Sequence, residues 1–575
     1  MAVHNADIAA AFDEIADLLE LQNANPFRVR AYRNAARIAG GLRFDIAARL
    51  AQGLELPKIP GIGADLAGKM RELAARGGCD LLDRLKAGAP AGITGLLHLP
   101  GLGPKRVQAL HQELGIGSLE ALQRAARDGR LRALPGFGEK TEQRLLAAVS
   151  AHLSKARRFK RALAAQYAEP YAAWLRKAPG AREVIVAGSY RRMKETVGDL
   201  DFVVSAQPRS RVIERFTAYA EVRELLASGG TKASVRLASG IQADLRVVPA
   251  ESFGAALHYF TGSKAHNIAL RRIAQERGLK VNEYGVFRGA RRIAGDTEAS
   301  VYAALELPWI PPELREDQGE IEAARRGALP RLIELGDLRG DLHLHTRATD
   351  GRNTAREMAL AARARGLQYV AITDHSQRET LVHGLDAVRL AKQIDEIERL
   401  NRALQGITLL KGIEVDILED GSLDLPDSIV SRLDVVVAAV HSRFNLPRAR
   451  QTERILRALD HPLVRLLAHP SGRLIDEREP YDVDMQAVIR KARARGVCLE
   501  LNAQPDRLDL SDVHCRMAKD EGVRVCINSD AHAAEGFDVL ACGVGQARRG
   551  WLERSDVLNT RPLSELRRLL NRRRS

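Results

Sequence analysis

The C-terminal third of the 575-residue chain keeps one rhythm: a short apolar run, a metal-capable residue at its end, then a helix-like stretch. Asp341-Leu342-His343-Leu344-His345 opens the series. The run 369–373 leads to Asp374-His375, 409–413 to Glu414, 435–440 to His441, and 466–468 to His469. The run 497–499 leads to Glu500-Leu501-Asn502, and 523–529 to Asp530-Ala531-His532. Strand and helix signals in alternation predict βα units on a parallel sheet. Seven such units, with chemistry at the C-terminal end of each strand, predict a barrel whose working face is that end. His343 and His345 stand two apart and share a strand face. A single His after a strand is usually a satisfied core or turn residue. Six at equivalent ends are not explained that way. Imidazoles and carboxylates without thiolates suit Zn2+, Mn2+ or Fe2+. Because ligation needs neutral imidazoles, activity is expected to decline below about pH 6, near the ordinary His value.

A second centre lies upstream. Val184-Ile185-Val186 reads as a strand, Gly188-Ser189 breaks it, and Gly198-Asp199-Leu200-Asp201 leads into Phe202-Val203-Val204. Strand alternation puts Asp199 and Asp201 on one face and Leu200 on the other. Two carboxylates side by side repel unless a cation lies between them, which is what a two-metal phosphoryl-transfer site requires. The Gly-Ser turn can bring backbone N–H groups to a phosphate. In the alternating run 240–248, Gln242, Asp244 and Arg246 share a face. If this strand lies beside the Asp199 strand, Asp244 completes the site. Solvated acids at strand ends are the plain alternative, and the ordered series GSYRR, GDLD, ADLR argues against it.

Residues 1 to about 150 read as helical, with Ile8, Phe12, Ile15, Leu18 and Leu19 on one face and Pro26 at a first helical position. Within them one motif recurs: Ile59-Pro60-Gly61-Ile62-Gly63, Leu99-Pro100-Gly101-Leu102-Gly103, and Leu134-Pro135-Gly136-Phe137-Gly138. A helical stretch with a lysine follows each, Lys69, Lys105 and Lys140 respectively. Glycines let the backbone approach a phosphate, and the next helix start offers free N–H donors. A formal net charge of +15 favours a polyanion partner, while 4% aromatic residues argue against a base-stacking platform. Five scattered Cys with no CxxC pair predict reduced thiols in the cytoplasm. Neither a signal-peptide layout nor a membrane-length apolar run is present in the sequence, so a soluble protein without membrane contact is expected.

GSYRR, GDLD, Asp244-Leu245-Arg246 and Tyr259-Phe260-Thr261-Gly262-Ser263 together resemble the family X DNA polymerases, relatives of polymerase beta. That resemblance implies a nucleotidyltransferase palm (α+β) whose catalytic metal ligands are Asp199, Asp201 and Asp244, binding Mg2+ or Mn2+. It implies triphosphate contacts at Gly188, Ser189 and Arg192, a sugar flanked by Tyr259 and Phe260 before Gly262, a base contact at Asn267 and a template contact at Arg271. Gln242 stands where polymerase beta has Arg, and Lys264 where it has Asp. The PGxG repeats resemble helix-hairpin-helix motifs, which grip DNA backbone without reading sequence. The first, with NPFRVRAYRNAA before it, resembles the lyase domain of polymerase beta, placing Lys69 on the Schiff-base lysine. Asp65 replaces a second Lys there and Phe27 a His, so Lys69 is expected to contact phosphate instead. DLHLHT, TDGRN, TDHS and NSDAH resemble the PHP family. That resemblance implies a (β/α)7 barrel with up to three ions, Zn2+ and/or Mn2+, on His343, His345, Asp350, His375, Glu414, His441, His469, Asp530 and His532.

The chain as a whole resembles bacterial family X polymerases carrying a PHP domain. The expected organisation is multidomain α and α/β. A lyase-type helical domain spans 1–85, a helix-hairpin-helix region 86–150, the palm 151–258, a thumb 259–315, a linker 316–337 and the PHP barrel 338–575. The implied function is short-gap filling in base excision repair, with a 3′–5′ exonuclease and abasic-site endonuclease in the barrel. Expected partners are gapped or nicked duplex DNA and deoxynucleoside triphosphates. A monomer is expected, cytoplasmic and nucleoid-associated. The rivals are an RNA-end nucleotidyltransferase, and a DNA-binding repair nuclease with an inactive palm, for which Gln242 is the best support.

Overall fold

The computed structural model describes residues 3, 5–22, 24–40, 46–57, 59, 62–88, 93–99, 102, 104–134, 137–139, 141–146, 149, 158–207, 210–379, 382–475 and 478–570. They form two units, Met1–Arg158 and Phe159–Ser575. The first is helical. Helix Asn5–Leu21 buries Ile8, Phe12, Ile15, Leu18 and Leu19 as its periodicity predicts. Pro26 opens helix Pro26–Gly40, and the Asn25 side chain accepts from the Phe27 amide at 2.9 Å. The three hairpins repeat one turn: Ile62 N–H donates to Ile59, Leu102 to Leu99 and Phe137 to Leu134, at 3.0–3.1 Å. The same bond recurs because an apolar pair packs into the core each time, Ile62 in part and Leu99 and Leu102 at 2% and 4% exposure. Helix Ala64–Arg76 then starts on Gly63, whose missing side chain caps none of the first N–H groups. Gly138 begins the third in the same way, accepting from Thr141 and Glu142.

The second unit holds a five-stranded sheet in the order Ala181–Val186, Asp199–Ala206, Gln242–Val248, Lys232–Leu237, Val222–Ser228. Its two central strands run parallel, with Asp199 opposite Gln242 and Asp201 opposite Asp244. Helix Arg161–Arg176 packs Tyr171 against Phe202 and Phe216 beneath it. Helices Phe253–Thr261 and Lys264–Glu276 follow, with a three-stranded antiparallel sheet at 280–294. Glu298 locks this region to the sheet. It accepts from Arg191 through both oxygens, at 2.8 and 2.7 Å, and from the fully buried Arg315 at 2.6 Å.

Residues 316–337, expected as a linker, are instead packed against the rest of the unit. Helix Glu320–Arg325 buries Ile321, Ala323 and Ala324 in one cluster with Leu270, Tyr302 and Trp551. With Leu329 and Leu332 they give the segment a core-facing side, and burial outweighs its polar sequence.

The barrel follows the predicted runs. Its seven strands, Gly340–Asp341, Tyr369–Ile372, Thr408–Asp416, Val435–Ala439, Leu466–Leu467, Cys498–Asn502 and Val525–Asn528, pair in chain order and all in parallel. Side chains here and at the strand ends draw the first and last strands together. Asp341 accepts from the His343 and Ser529 amides, both at 3.1 Å, and Leu342 N–H donates to the Asn528 side chain at 3.0 Å. Along Tyr369–Ile372, Tyr369 and Ala371 join one apolar cluster, Val370 and Ile372 another, as two-residue alternation requires. Helix Leu563–Leu570 adds Leu566 and Leu570 to the inner cluster at the strands' N-terminal end. The C-terminal mouth is left to the histidines.

Candidate functional site

The palm brings its carboxylates together by register alone. Asp201 and Asp244 are cross-strand partners, and Asp199 lies two residues earlier on the same face, exposed at the strand's start. Leu200 is fully buried on the other face. Burial, reinforced by Asp199 and Asp244, pushes the Asp201 carboxyl up to about 7. Such a group keeps its charge at neutral pH when a cation is bound beside it. Gly188 is required twice over. Its φ is +60°, and a Cβ there would lie 2.4 Å from an Asp201 oxygen.

Gln242 donates to one Asp244 oxygen at 2.8 Å, and the Ser234 hydroxyl donates to the other. The departure from Arg therefore keeps a donor on the third carboxylate, but a neutral one. Arg192 is the side chain nearest the turn with a second use: it bonds Glu316 at 3.0 Å and the Thr261 carbonyl. Gly262, at φ +69°, leaves room for that guanidinium. Half-buried Tyr259 and Phe260 meet edge to face at 5.1 Å, and the Arg246 guanidinium stacks over Phe260. Asn267 donates to the Tyr259 carbonyl at 2.8 Å while its Oδ1 is buried with no partner, an acceptor suited to an incoming group. Arg271 donates to the Asn267 carbonyl, and Lys264 is exposed at the start of its helix.

In the barrel, the nine side chains that the PHP resemblance implies converge. His343, His345 and Asp530 form one buried group able to hold an ion, His345, Asp350, His375 and His532 a second, and His375, Glu414 and His441 a third. Glu414 sits among them, with His375 Nδ1 at 2.9 Å, His469 Nε2 at 3.0 Å, His441 Nε2 at 3.2 Å and His343 Nε2 at 3.4 Å. The donor set fits divalent cations. His345 Nδ1 is buried without a hydrogen-bond partner, which is costly unless something binds it.

Sequence reasoning missed the residues that orient these ligands. Glu500 accepts from His343 Nδ1 at 2.7 Å and, through its other oxygen, from the His469 amide at 2.8 Å. Asp416 takes His441 Nδ1 at 2.6 Å. Each carboxylate fixes the tautomer that leaves Nε2 facing the cluster. Asp374 accepts from Thr346, Thr349 and Gln393, tying down the loop that presents Asp350. The signal was there for Glu500, which ends the sixth run as ligands end the others. It was there also for Asp416, two residues beyond Glu414 on one strand face.

Burial acts to lower the His375 and His441 values. Glu414 outweighs it, with Asp350 at His375 and Asp416 at His441, and they are held up to about 11 and about 9. A metal must displace those protons, so the window for loading lies above the pH 6 expected of isolated imidazoles. Because both values exceed the unfolded His value near 6.5, the stabilisation they give the metal-free fold is complete below that pH. It is lost as pH rises through about 9 and about 11. Chelated protein should therefore melt at falling temperature between pH 7 and about 10, and metal binding at pH 7 should release protons, measurable by calorimetry in buffers of different ionisation enthalpy. Metal uptake without proton release would contradict this.

In the first unit, Lys69 is ion-paired with Asp65 one helical turn away. Partial burial lowers the Lys69 value, but the Asp65 hydrogen bond outweighs it and the ammonium is held above its ordinary range. Gly63 and Gly138 are exposed at their helix starts. Gly61, Gly101, Gly103, Gly136, Lys140 and the Lys105 side chain lie outside what the structure describes.

Comparison with known proteins fits this arrangement. Residues 3–79 match the family model described as a helix-hairpin-helix domain, and 93–150 a SAM-like helix-hairpin-helix tandem. Residues 256–316 match the DNA polymerase beta thumb and 341–503 the PHP domain. A relative from Bacillus subtilis (strain 168), the DNA polymerase/3′-5′ exonuclease PolX, is 39% identical over 574 residues, covering 99% of this chain and 100% of its own. The chain belongs to the PolX family. The C-terminal third alone is also similar to smaller proteins. A probable phosphatase of Thermoanaerobacter sp. (strain X514) is 30% identical over 35% of this chain and 80% of its own, and one of Acetivibrio thermocellus 30% identical over 33% and 78%. Within this PolX-family chain the PHP match ends at residue 503, before Asp530 and His532, which the last strand carries to the same mouth. Among the described residues, no helix is long and apolar enough to cross a membrane.

Proposed function

We infer that this chain is a family X DNA polymerase with a metal-dependent 3′–5′ exonuclease, synthesising in the palm and hydrolysing in the barrel. The observation that carries the reading is the alignment of Asp199, Asp201 and Asp244 on adjacent parallel strands beside a glycine that only just clears Asp201. Mg2+ or Mn2+ on these carboxylates, and up to three Zn2+ or Mn2+ ions in the barrel, would supply charge at developing anions and activate the attacking oxygen. The chain's own part is positioning. Ser189 and Arg192 hold the triphosphate, and Tyr259 and Phe260 flank the sugar. Asn267 meets the base, and Arg271 the template strand. In the barrel, Glu500 and Asp416 hold imidazoles in the ligating tautomer, and His343, His345, Asp350, His375, Glu414, His441, His469, Asp530 and His532 form the ligand set.

The substrate reading is gapped or nicked duplex DNA in base excision repair, gripped at the phosphate backbone by the hairpins. Deoxynucleoside triphosphates serve the palm, and 3′ ends or abasic sites serve the barrel. A cytoplasmic, nucleoid-associated monomer suits that role. Gln242, the strongest argument for a silent palm, supports Asp244 rather than displacing it.

One experiment separates the readings. A gapped duplex labelled at the primer 5′ end is incubated with Mg2+ or Mn2+. Extension to the gap's end is expected with deoxynucleotides, and stepwise shortening without them; incision of an abasic duplex is scored alongside. Extension by ribonucleotides alone would make the palm an RNA-end transferase. Shortening with no extension under any condition would leave only the nuclease.

Lys69 is not expected to act as a lyase nucleophile, because its amine is held protonated by Asp65. Borohydride should trap no more 5′-deoxyribose phosphate on the wild-type chain than on Lys69→Ala. Efficient trapping that disappears in Lys69→Ala would reverse that assignment.

A further inference from the structure

One palm side chain reaches the barrel's ligand loops. Glu195 follows the Arg192 turn, with Lys194 N–H bonded back to the Ser189 carbonyl and the Glu195 carbonyl accepting from Arg161. Its carboxylate does not face the palm's own site. It accepts from Arg473 of the barrel, at 2.7 Å to Oε2 and 3.4 Å to Oε1. Gln546 approaches the same oxygen at 3.5 Å.

Arg473 lies four residues beyond His469, in the turn where Gly472 N–H donates to the His469 carbonyl at 2.9 Å. Its remaining donors are committed as well. Nε donates to the Arg507 carbonyl at 2.9 Å, and Nη2 also reaches the Leu508 carbonyl. Arg473, itself in the His469 turn, thus ties a palm carboxylate to two carbonyls of the loop after the sixth strand. That loop in turn supports two ligands. Asp509 accepts from the Ser471 amide at 2.9 Å, two residues from His469. Gln504 donates to the carbonyls of Ser529 and Asp530 at 2.7 and 3.0 Å. A second palm cation, Lys160, pairs with Asp506 in the same loop.

We propose that Glu195 and Arg473 form a positioning pair through which the polymerase palm holds the His469 and Asp530 loops of the nuclease centre. The proposal rests on reading the barrel as that centre. The other bonds of the guanidinium go to carbonyls, and its direct ion pair at this part-buried site is with Glu195, while the nearby Asp509 carboxylate feels its charge without a hydrogen bond to it. Glu195 supplies the compensation and fixes the direction in which Arg473 pulls the two loops. The pair is not what joins palm to barrel. Arg549 donates to Glu316 and the Arg192 carbonyl, both at 3.0 Å, and Met193 packs so close to Gly545 that a Cβ there would lie 2.3 Å from its Cε. Those contacts remain when Glu195 loses its charge.

The test uses the full chain with Glu195→Gln, Glu195→Asp, Arg473→Gln and the double variant Glu195→Gln/Arg473→Gln. Exonuclease rate is titrated against Mn2+, and primer extension is measured on the same preparations. Glu195→Gln should raise the Mn2+ concentration for half-maximal degradation and slow turnover about ten-fold, the usual cost of losing an outer support of metal ligands. Primer extension should stay at the wild-type rate. Glu195→Asp, which keeps the charge, should recover part of the loss, and the double variant should be no worse than Arg473→Gln alone. A wild-type Mn2+ midpoint and rate in Glu195→Gln would overturn the proposal. So would a parallel loss of extension and degradation, the mark of a merely structural contact. His343→Ala serves as the control for the underlying reading: if it still degrades primers, the barrel is not the nuclease and the pair falls with it.

Discussion

Asp201→Asn is expected to lose primer extension by on the order of a hundred- to a thousand-fold, the scale seen when a fixed electrostatic partner of a transition state is removed. Degradation of the same primer should continue. The same substitution should stabilise the metal-free protein at alkaline pH. The folded Asp201 value, about 7, lies above its unfolded value near 3.9. Between those values the folded state holds a proton that the unfolded state has released, so the metal-free fold loses stability as pH rises from about 4 to about 7. The cause is burial first, then repulsion from Asp199 and Asp244. Asp201→Asn removes the buried charge and should melt higher than the wild type at pH 8 in chelator, with little difference at pH 4. Adding Mg2+ at pH 8 should raise the wild-type melting temperature more than that of the variant. Function here costs stability, as at other sites built around like charges. A variant that extends primers normally would remove Asp201 from the centre. One that melts no higher at pH 8 would show that the carboxylates do not strain the metal-free palm.

The first-contact groups in both centres were legible because strands impose a period of two. Asp199 and Asp201 must share a face in the strand that contains them, whereas His343 and His345, expected on one strand face, lie just beyond the strand Gly340–Asp341. The pairing of Asp201 with Asp244 needed one further fact, that the two strands are parallel neighbours, which alternation cannot supply. Most candidate ligands of the barrel were readable from their place at the ends of apolar runs, since a parallel barrel gathers all such ends at one mouth, whereas Asp350 came from the PHP resemblance alone. What stayed hidden were partners defined by a neighbour's other atom. Glu500 and Asp416 carry the right chemistry at suggestive positions, but only the fold shows that they face Nδ1 of His343 and of His441. Gln242 misled in the opposite direction. Read beside an Arg it is a lost charge, whereas in the fold its amide holds Asp244. The segment 316–337 looked like a linker because it follows Pro308, Pro311 and Pro312 and opens on an acidic stretch, while the apolar residues that bury it are interleaved with charged ones. The Lys69–Asp65 pair needed no fold at all, being one helical turn apart.

His343→Ala and Glu414→Gln should each abolish 3′–5′ degradation, falling on the order of a hundred-fold or more, with primer extension retained and bound metal reduced in the same preparations. His343 is the side chain that the chain invests most in orienting. It is fully buried, Glu500 accepts from its Nδ1, and its Nε2 lies 3.4 Å from Glu414 and 3.6 Å from Asp530. Removing it deletes a ligand and leaves Glu500 buried without its closest partner, so both metal content and local order should suffer. Glu414→Gln is the cleaner variant. It keeps the volume and the hydrogen-bonding oxygen but takes away the one carboxylate that faces His343, His375, His441 and His469 together. The imidazoles that Glu414 holds protonated should then titrate nearer their ordinary value, with Asp350 and Asp416 still raising them in part, so the stability of the chelated protein should depend less on pH above 7. Glu500→Gln should fall between these variants and the wild type, losing about ten- to a hundred-fold in metal affinity while degradation recovers at high metal. Recovery of Glu414→Gln by the same metal excess would demote Glu414 to an outer support. Wild-type degradation by His343→Ala, or loss of degradation in the Asp201 variant instead, would place the nuclease outside the barrel.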